Sequence, residues 1–194
     1  MITYKVQRVT EPDIEPITLA KAKEHLRIES DFALDDDLIG AYIGAARDQS
    51  EKYCNRSFAL ADFFLMITGF PGTTAAITLP DPKTAEVTAI TYIDDSNTEQ
   101  TVDPGDYVVD IDRQQIRPTG NWPIRGKSLK ISYSAGYDAS ASPAETIPKS
   151  VDQAMLLIIA DMYELRQSQI VGNMISENPA ASMRLSLHRV EMGV

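Results

Sequence analysis

IPKSVDQAMLLIIADMYELRQSQ, residues 147–169, decides the fold. Pro148 suits the first turn of a helix, where the backbone N–H has no intrahelical acceptor to lose. From there Val151, Met155, Ile158, Met162 and Leu165 recur at spacings of three and four, which places them on one helical stripe. Ala154 to Ala160 contains no polar side chain, so the helix is apolar around its whole circumference there and has to be surrounded by protein. At about 1.5 Å per residue it reaches roughly 30 Å, enough to cross a small domain. Its two ends are too polar for a membrane span. Beyond Asp161, the residues Tyr163, Glu164, Arg166 and Gln167 make an exposed or partner-facing end.

Upstream lies DASASPAET, residues 138–146, a small polar linker, and before it the period is near two. Phe58 to Gly69, Ala76 to Leu79, Val87 to Ile93, Tyr107 to Ile111, Gln115 to Pro118 and Leu129 to Tyr133 are short runs rich in β-branched and aromatic residues. Turn formers such as Pro71-Gly72, Asp94-Asp95-Ser96-Asn97 and Pro104-Gly105 separate them, which predicts an antiparallel β region. Further towards the N-terminus two helices are expected. One is LAKAKEHLRI after the N-cap Thr18, and the other follows Asp35-Asp36-Asp37, carries Leu38, Ile39, Tyr42, Ile43 and Ala46 on one face, and ends near Asn55. Ile2 to Val9 alternates as a short strand or extended arm. After the long helix, Gly172 and Asn173 break the pattern, and Asn178-Pro179 introduces a short helix over about Ala180 to Leu187. The expected fold class is α+β, a small helical core with a long central helix and an inserted antiparallel β region. Its segments are 1–57 (arm and core helices), 58–142 (β insert) and 143–194 (long helix and tail).

Composition bounds the function. The net charge of −10, from 28 acidic and 18 basic residues, disfavours gripping nucleic acid, because that affinity comes mainly from cations on phosphates. The single cysteine, Cys54, leaves no internal disulfide framework. Met1 is followed by ITYKVQRV, without the regions of a signal peptide, which points to synthesis in the cytoplasm. His25 and His188 have no cysteine or second histidine at metal-ligand spacing, and no phosphate-binding glycine motif or serine-hydrolase elbow is present. Asp35, Asp36 and Asp37 could ligate a metal, but acids before a helix are better explained as caps and partners of its dipole. Asp94 to Asn97 reads as a hairpin turn rather than a calcium loop. Trp122 is expected to pack over the edge of its own sheet. No catalytic residue, cofactor or metal is therefore expected.

Four stretches carry a family resemblance: ITLAKAKEHLRI (17–28), DDDLIGAYIGAARDQSEKYCNRSF (35–58), SYSAGY (132–137) and IPKSVDQAMLLIIADMYELR (147–166). In this order and spacing they resemble the head-tail connector, or adaptor, proteins of long-tailed bacteriophages and the prophages derived from them. The resemblance implies a non-enzymatic structural protein of the virion neck, made in the host bacterial cytoplasm. It implies a ring of identical subunits, twelve-fold in the virion, with the portal protein on one side and a tail-side neck protein on the other. DNA would pass through without tight binding, and no membrane is involved. The competing readings are a metal-dependent enzyme using the acidic loops and a nucleic-acid-binding regulator. Contacts with other subunits or the portal are expected from Tyr163, Glu164 and Arg166 and from Arg184, Leu185, Leu187 and Arg189, since arginine and aromatic residues favour interface cores. The alternative for the tail is that it folds back on its own helix.

Overall fold

The computed structural model describes residues 3–68, 72, 74–81, 83–122, 126–141, 144–165 and 178–190. The chain divides into two units, residues 14–59 with 137–194 and residues 1–13 with 60–136.

The first unit is helical. Helix α1 (Leu19–Leu26) starts where the Thr18 hydroxyl accepts the Lys21 N–H at 3.3 Å and ends at Arg27 in the left-handed region, φ 58°. Helix α2 (Asp36–Cys54) ends the same way at Asn55, φ 53°. Helix α3 (Lys149–Glu164) follows Pro148, and α4 (Pro179–Ser186) follows Asn178. Helix α3 packs on α1, α2 and α4, and the run expected to be apolar all round supplies Ala154, Met155, Leu156, Ile158 and Ile159 to the core. Ile17, Ala22, Ile39, Ile43, Ala46 and Val151 complete its centre. Each large aliphatic side chain buried here contributes about 1.5–3 kcal/mol. The expected helical extension over residues 166–169 lies outside the described residues.

The β unit holds two antiparallel sheets. Strands β1 (Thr3–Arg8), β2 (Ala61–Thr68), β4 (Thr84–Asp94), β5 (Glu99–Thr101) and β8 (Gly126–Ala135) form one, in the order β1-β2-β8-β4-β5. Strands β3 (Ile77–Thr78), β6 (Tyr107–Asp110) and β7 (Gln115–Pro118) form the other, in the order β3-β7-β6. The register sets Leu65 opposite Ile131 and Ile67 opposite Leu129, so one face of the larger sheet is apolar, as the period of two requires. Leu65, Ile67, Ile90, Leu129, Ile131 and Tyr133 are buried there with Ile77, Leu79, Val102 and Ile116. Trp122 is buried as expected. Its Nε1–H donates to the Ala75 carbonyl at 2.8 Å, and its ring stacks on Tyr107 at 6.5 Å.

The α+β class holds, with three differences at the segment borders. Residues 137–141 do not belong with the 58–142 insert, because Tyr137 packs on the helical core beside Arg56 and Asp138 is hydrogen-bonded to Glu145. Residues 3–8 do not belong with the helices of the 1–57 segment, because a continuous ladder from Thr3↔Thr68 to Arg8↔Phe63 ties them to β2. Phe58 does not open a strand. It is buried in the helical core, since Glu51 Oε1 accepts the backbone N–H groups of Phe58 (2.7 Å) and Ala59 (3.2 Å) and holds the chain as it leaves α2.

Candidate functional site

The residues expected to meet partners fall on the helical unit, around the ends of α3 and α4. Asn178 caps α4 through Oδ1, which accepts the N–H groups of Ala180 (3.0 Å) and Ala181 (3.2 Å), while its Nδ2 donates to Asp161 at 2.6 Å. The far end of α4 is tied as firmly. Cys54 Sγ donates to the Leu185 carbonyl at 3.4 Å, the Val190 N–H donates to the Cys54 carbonyl at 2.8 Å, and Asn55 Nδ2 reaches the Val190 carbonyl at 3.0 Å. His188 Nε2 lies 2.6 Å from Ser150 Oγ on α3, and the Arg189 guanidinium stands 5.5 Å over the Tyr53 ring. Residues 178–190 therefore fold back on α2 and α3.

This docking sorts the expected contact residues. Leu185, 2% exposed, is buried in the core beside Ala181. Leu187 is 76% exposed, and so is Met183 one turn earlier on the same face. Arg184 and Arg189 are exposed at this ridge, with Arg184 also donating to the Ala180 carbonyl at 2.8 Å. Tyr163 is half-buried, its hydroxyl donating to Asp35 Oδ2 at 2.6 Å, whereas Glu164 is exposed. Arg166 lies outside the described residues. Between α2, α3 and α4 runs a groove of about 430 Å³ lined by Tyr53, Ile158, Met162 and Leu185 among others.

Of the roles expected of the three aspartates, Asp36 and Asp37 do lie in the first turn of α2 as partners of its dipole, but Asp35 makes no side-chain cap bond. Asp35 occupies the N-cap position of α2 without a side-chain cap bond, and its carboxylate accepts from Tyr163 instead. Asp36 pairs with Lys23 at 2.8 Å. Only Asp37 remains a plain first-turn acid in favourable alignment with the helix dipole. Lys23 is 5% exposed, an unusual place for an ammonium, and it also donates to the Ser30 carbonyl at 3.2 Å. One buried cation thus ties the middle of the loop between α1 and α2 to the first residue of α2. Two turns, Phe32 N–H to Glu29 and Asp36 N–H to Ala33, shape the loop in between. The loop exposes Phe32 and also Leu34, which at 87% is the most exposed large apolar side chain among the described residues.

A second buried charge lies under the bundle. Arg47 donates to Glu15 at 2.9 Å and to Asp48 at 2.8 Å, with Glu51 at 3.4 Å. Burial works against its charge, but these carboxylates outweigh it and raise its pKa above the ordinary arginine value. The network is structural, because Glu51 in turn fastens residues 57–59. Lys23, Arg47 and Glu51 were not singled out by sequence reasoning: Lys23–Asp36 and Arg47–Glu15 join residues far apart in the chain, and the Arg47–Glu51 pair at helical spacing looks like an ordinary surface pair until the fold buries it. Phe32 and Leu34 carried a signal, two large apolar residues set among acids in a loop.

Burial pushes the Cys54 thiol up to about 11, which leaves it protonated and unreactive at neutral pH. Among the described residues no group of three His, Cys, Asp or Glu side chains is placed to hold a metal ion. No helix among them is long and apolar enough to cross a membrane.

Comparison with known proteins gives the surfaces a context. No curated protein matches the chain. Among solved structures, it is similar to a chain from the neck of an empty gene transfer agent (GTA) particle, computed with C6 symmetry. The TM-score is 0.76 at 25% identity, over 98% of this chain and 97% of that one. A chain from the neck of the native GTA particle, computed with C12 symmetry, aligns with a TM-score of 0.69 at 26% identity, over 97% and 98% of the two chains. A chain from the native GTA virion shares the fold, with a TM-score of 0.74 at 24% identity over 97% of each. The family described as phage gp6-like head-tail connector protein matches residues 16–112, a span that takes in α1, α2 and most of the strands. With half of its length fitting that family's own pattern, the chain belongs to the phage gp6-like head-tail connector proteins and is a structural connector.

Proposed function

We propose that the chain forms a closed ring in the neck of a phage or phage-like particle. There it would join the portal protein on the head side to a neck protein on the tail side and leave a passage for DNA. The observation that carries this reading is the likeness, over nearly the whole chain, to chains of particle necks computed with C6 and C12 symmetry. A closed ring needs two different complementary patches on each subunit, and the helical unit offers exposed apolar surface at two separate places, the loop after α1 and the ridge of α4. The protein works without catalysis, metal or cofactor, and it is made in the host cytoplasm before joining the particle.

Light scattering after size exclusion, with negative-stain microscopy of the same peak, tests the reading. Rings are expected at micromolar protein or on mixing with the portal. Particles made without the protein are expected to be filled or leaking heads lacking tails, and normal tailed particles would defeat the assignment.

A further inference from the structure

The two exposed apolar places carry opposite charge. The loop and first turn from Glu29 to Asp37 hold five acids and no base, whereas residues 178–190 hold the two cations Arg184 and Arg189 and no acid. In a chain of net charge −10, a cationic stretch beside exposed Met183 and Leu187 is a local exception, and the acidic loop beside exposed Leu34 is its counterpart. Neither surface is loose. Lys23 clamps the loop at Ser30 and Asp36, and the bonds to Cys54 and Asn55 hold the end of α4. Holding Leu34 out in a fixed shape lowers the ordering cost that a partner would otherwise have to overcome.

We infer that these two surfaces are the mates of one subunit contact: the Leu34 loop of one copy seats on the Met183–Leu187 ridge of the next. The inference rests on the ring reading above and names its contact. The occupant is a second copy because the charge and apolar complement of each surface is found on the chain itself. The contact is head-to-tail, since loop and ridge are different patches, and such contacts repeat around a ring. Asp31 and Asp37 flank the apolar seat on one side, Arg184 and Arg189 on the other. Opposite charges there favour this pairing and penalise loop against loop or ridge against ridge.

Charge reversal on each side tests it. Glu29→Lys/Asp31→Lys/Asp37→Lys takes the loop from five acids to two acids and three bases, and Arg184→Glu/Arg189→Glu reverses the ridge. All five positions are exposed, so both variants should keep the wild-type circular dichroism spectrum, with only a modest fall in melting temperature from placing a base at the start of α2 and from losing Arg189 over the Tyr53 ring; both are checked first. Each alone is expected to lose assembly, with the half-assembly concentration raised tenfold or more. An equimolar mixture is expected to regain rings, because every loop then meets a ridge of opposite sign around an alternating ring. Wild-type rings together with full assembly by each variant alone would overturn the contact and leave the ring reading standing. Rings of normal size that lose only portal binding would assign these surfaces to another chain and overturn the second copy as occupant. A wild-type protein that stays monomeric at all concentrations, with and without portal, would overturn the ring reading and the contact with it.

Discussion

Tyr133 stacks on Phe63 at 5.7 Å, and its hydroxyl is buried without a hydrogen-bond partner among the described residues. Burial, and then the nearby Asp81 carboxylate, push its ionisation above the ordinary tyrosine value, so the phenol stays neutral. An unsatisfied buried donor costs about 1–3 kcal/mol. Tyr133→Phe is therefore expected to leave the melting temperature unchanged or raise it by about 2–4 °C, and a clear fall in a thermal scan would mean the hydroxyl is bonded. Cys54 gives a second residue-scale outcome. Fully buried and held to the Leu185 carbonyl, its protonated thiol should resist a thiol reagent in the native protein and react once denaturant unfolds it. Rapid stoichiometric labelling at neutral pH without denaturant would show that α4 lifts off.

Helix α4 is an element whose docking should sense pH. His188 sits between Ser150 and the bundle, with a pKa lowered first by burial and then by Arg56. Above the ordinary value of 6.5 the imidazole is neutral in both states and contributes nothing to pH dependence. Below it the unfolded chain takes up the proton first, so stability falls as pH drops through that window. Wild type should lose more stability between pH 8 and pH 5.5 than His188→Gln, measured by urea melts, and equal losses would exclude this role. The Lys23 clamp belongs to the same scale: Lys23→Met should cost about 1–3 kcal/mol by stranding its polar partners. It should also speed amide exchange in residues 30–36, and unchanged protection there would refute the clamp. The elements differed in how far the sequence revealed them. Helix α3 and the inner strands were legible because burial imposes their periods, 3.6 and two. Strand β5 was not, because its three residues are all exposed and carry no alternation. Leu185 and Leu187 were grouped together although residues two apart face opposite sides of a helix, and the structure buries one and exposes the other. The loop acids looked like caps because their true partners, Tyr163 and Lys23, lie far along the chain or across a turn.

For the whole molecule, the net charge of −10, repeated around a ring, sets a field against phosphates, of which duplex DNA presents about one per 1.7 Å of axis. Assembled rings are expected to bind duplex DNA negligibly at physiological salt, and tight, salt-sensitive retardation of DNA in a gel would contradict a sliding passage. The plain fold class was readable from the order of periodic segments. The division into units was not, because nothing local in Thr3 to Arg8 names β2 as its partner. That pairing, described above as a matter of register, also sets a timetable. Strand β1 waits for residues 61–68, β2 and β4 wait for β8 at residues 126–135, and α1 and α2 remain without their central helix until residues 149–164 leave the ribosome. The ridge on α4 is made later still, well over a hundred residues after the loop that we pair with it. At roughly 5–20 residues per second, a nascent chain therefore displays its acidic knob for several seconds before it owns the matching seat. On the contact inferred above, unfinished chains could dock onto finished subunits but could not receive one, so ring growth from the seat side would be reserved for subunits whose synthesis has passed α4.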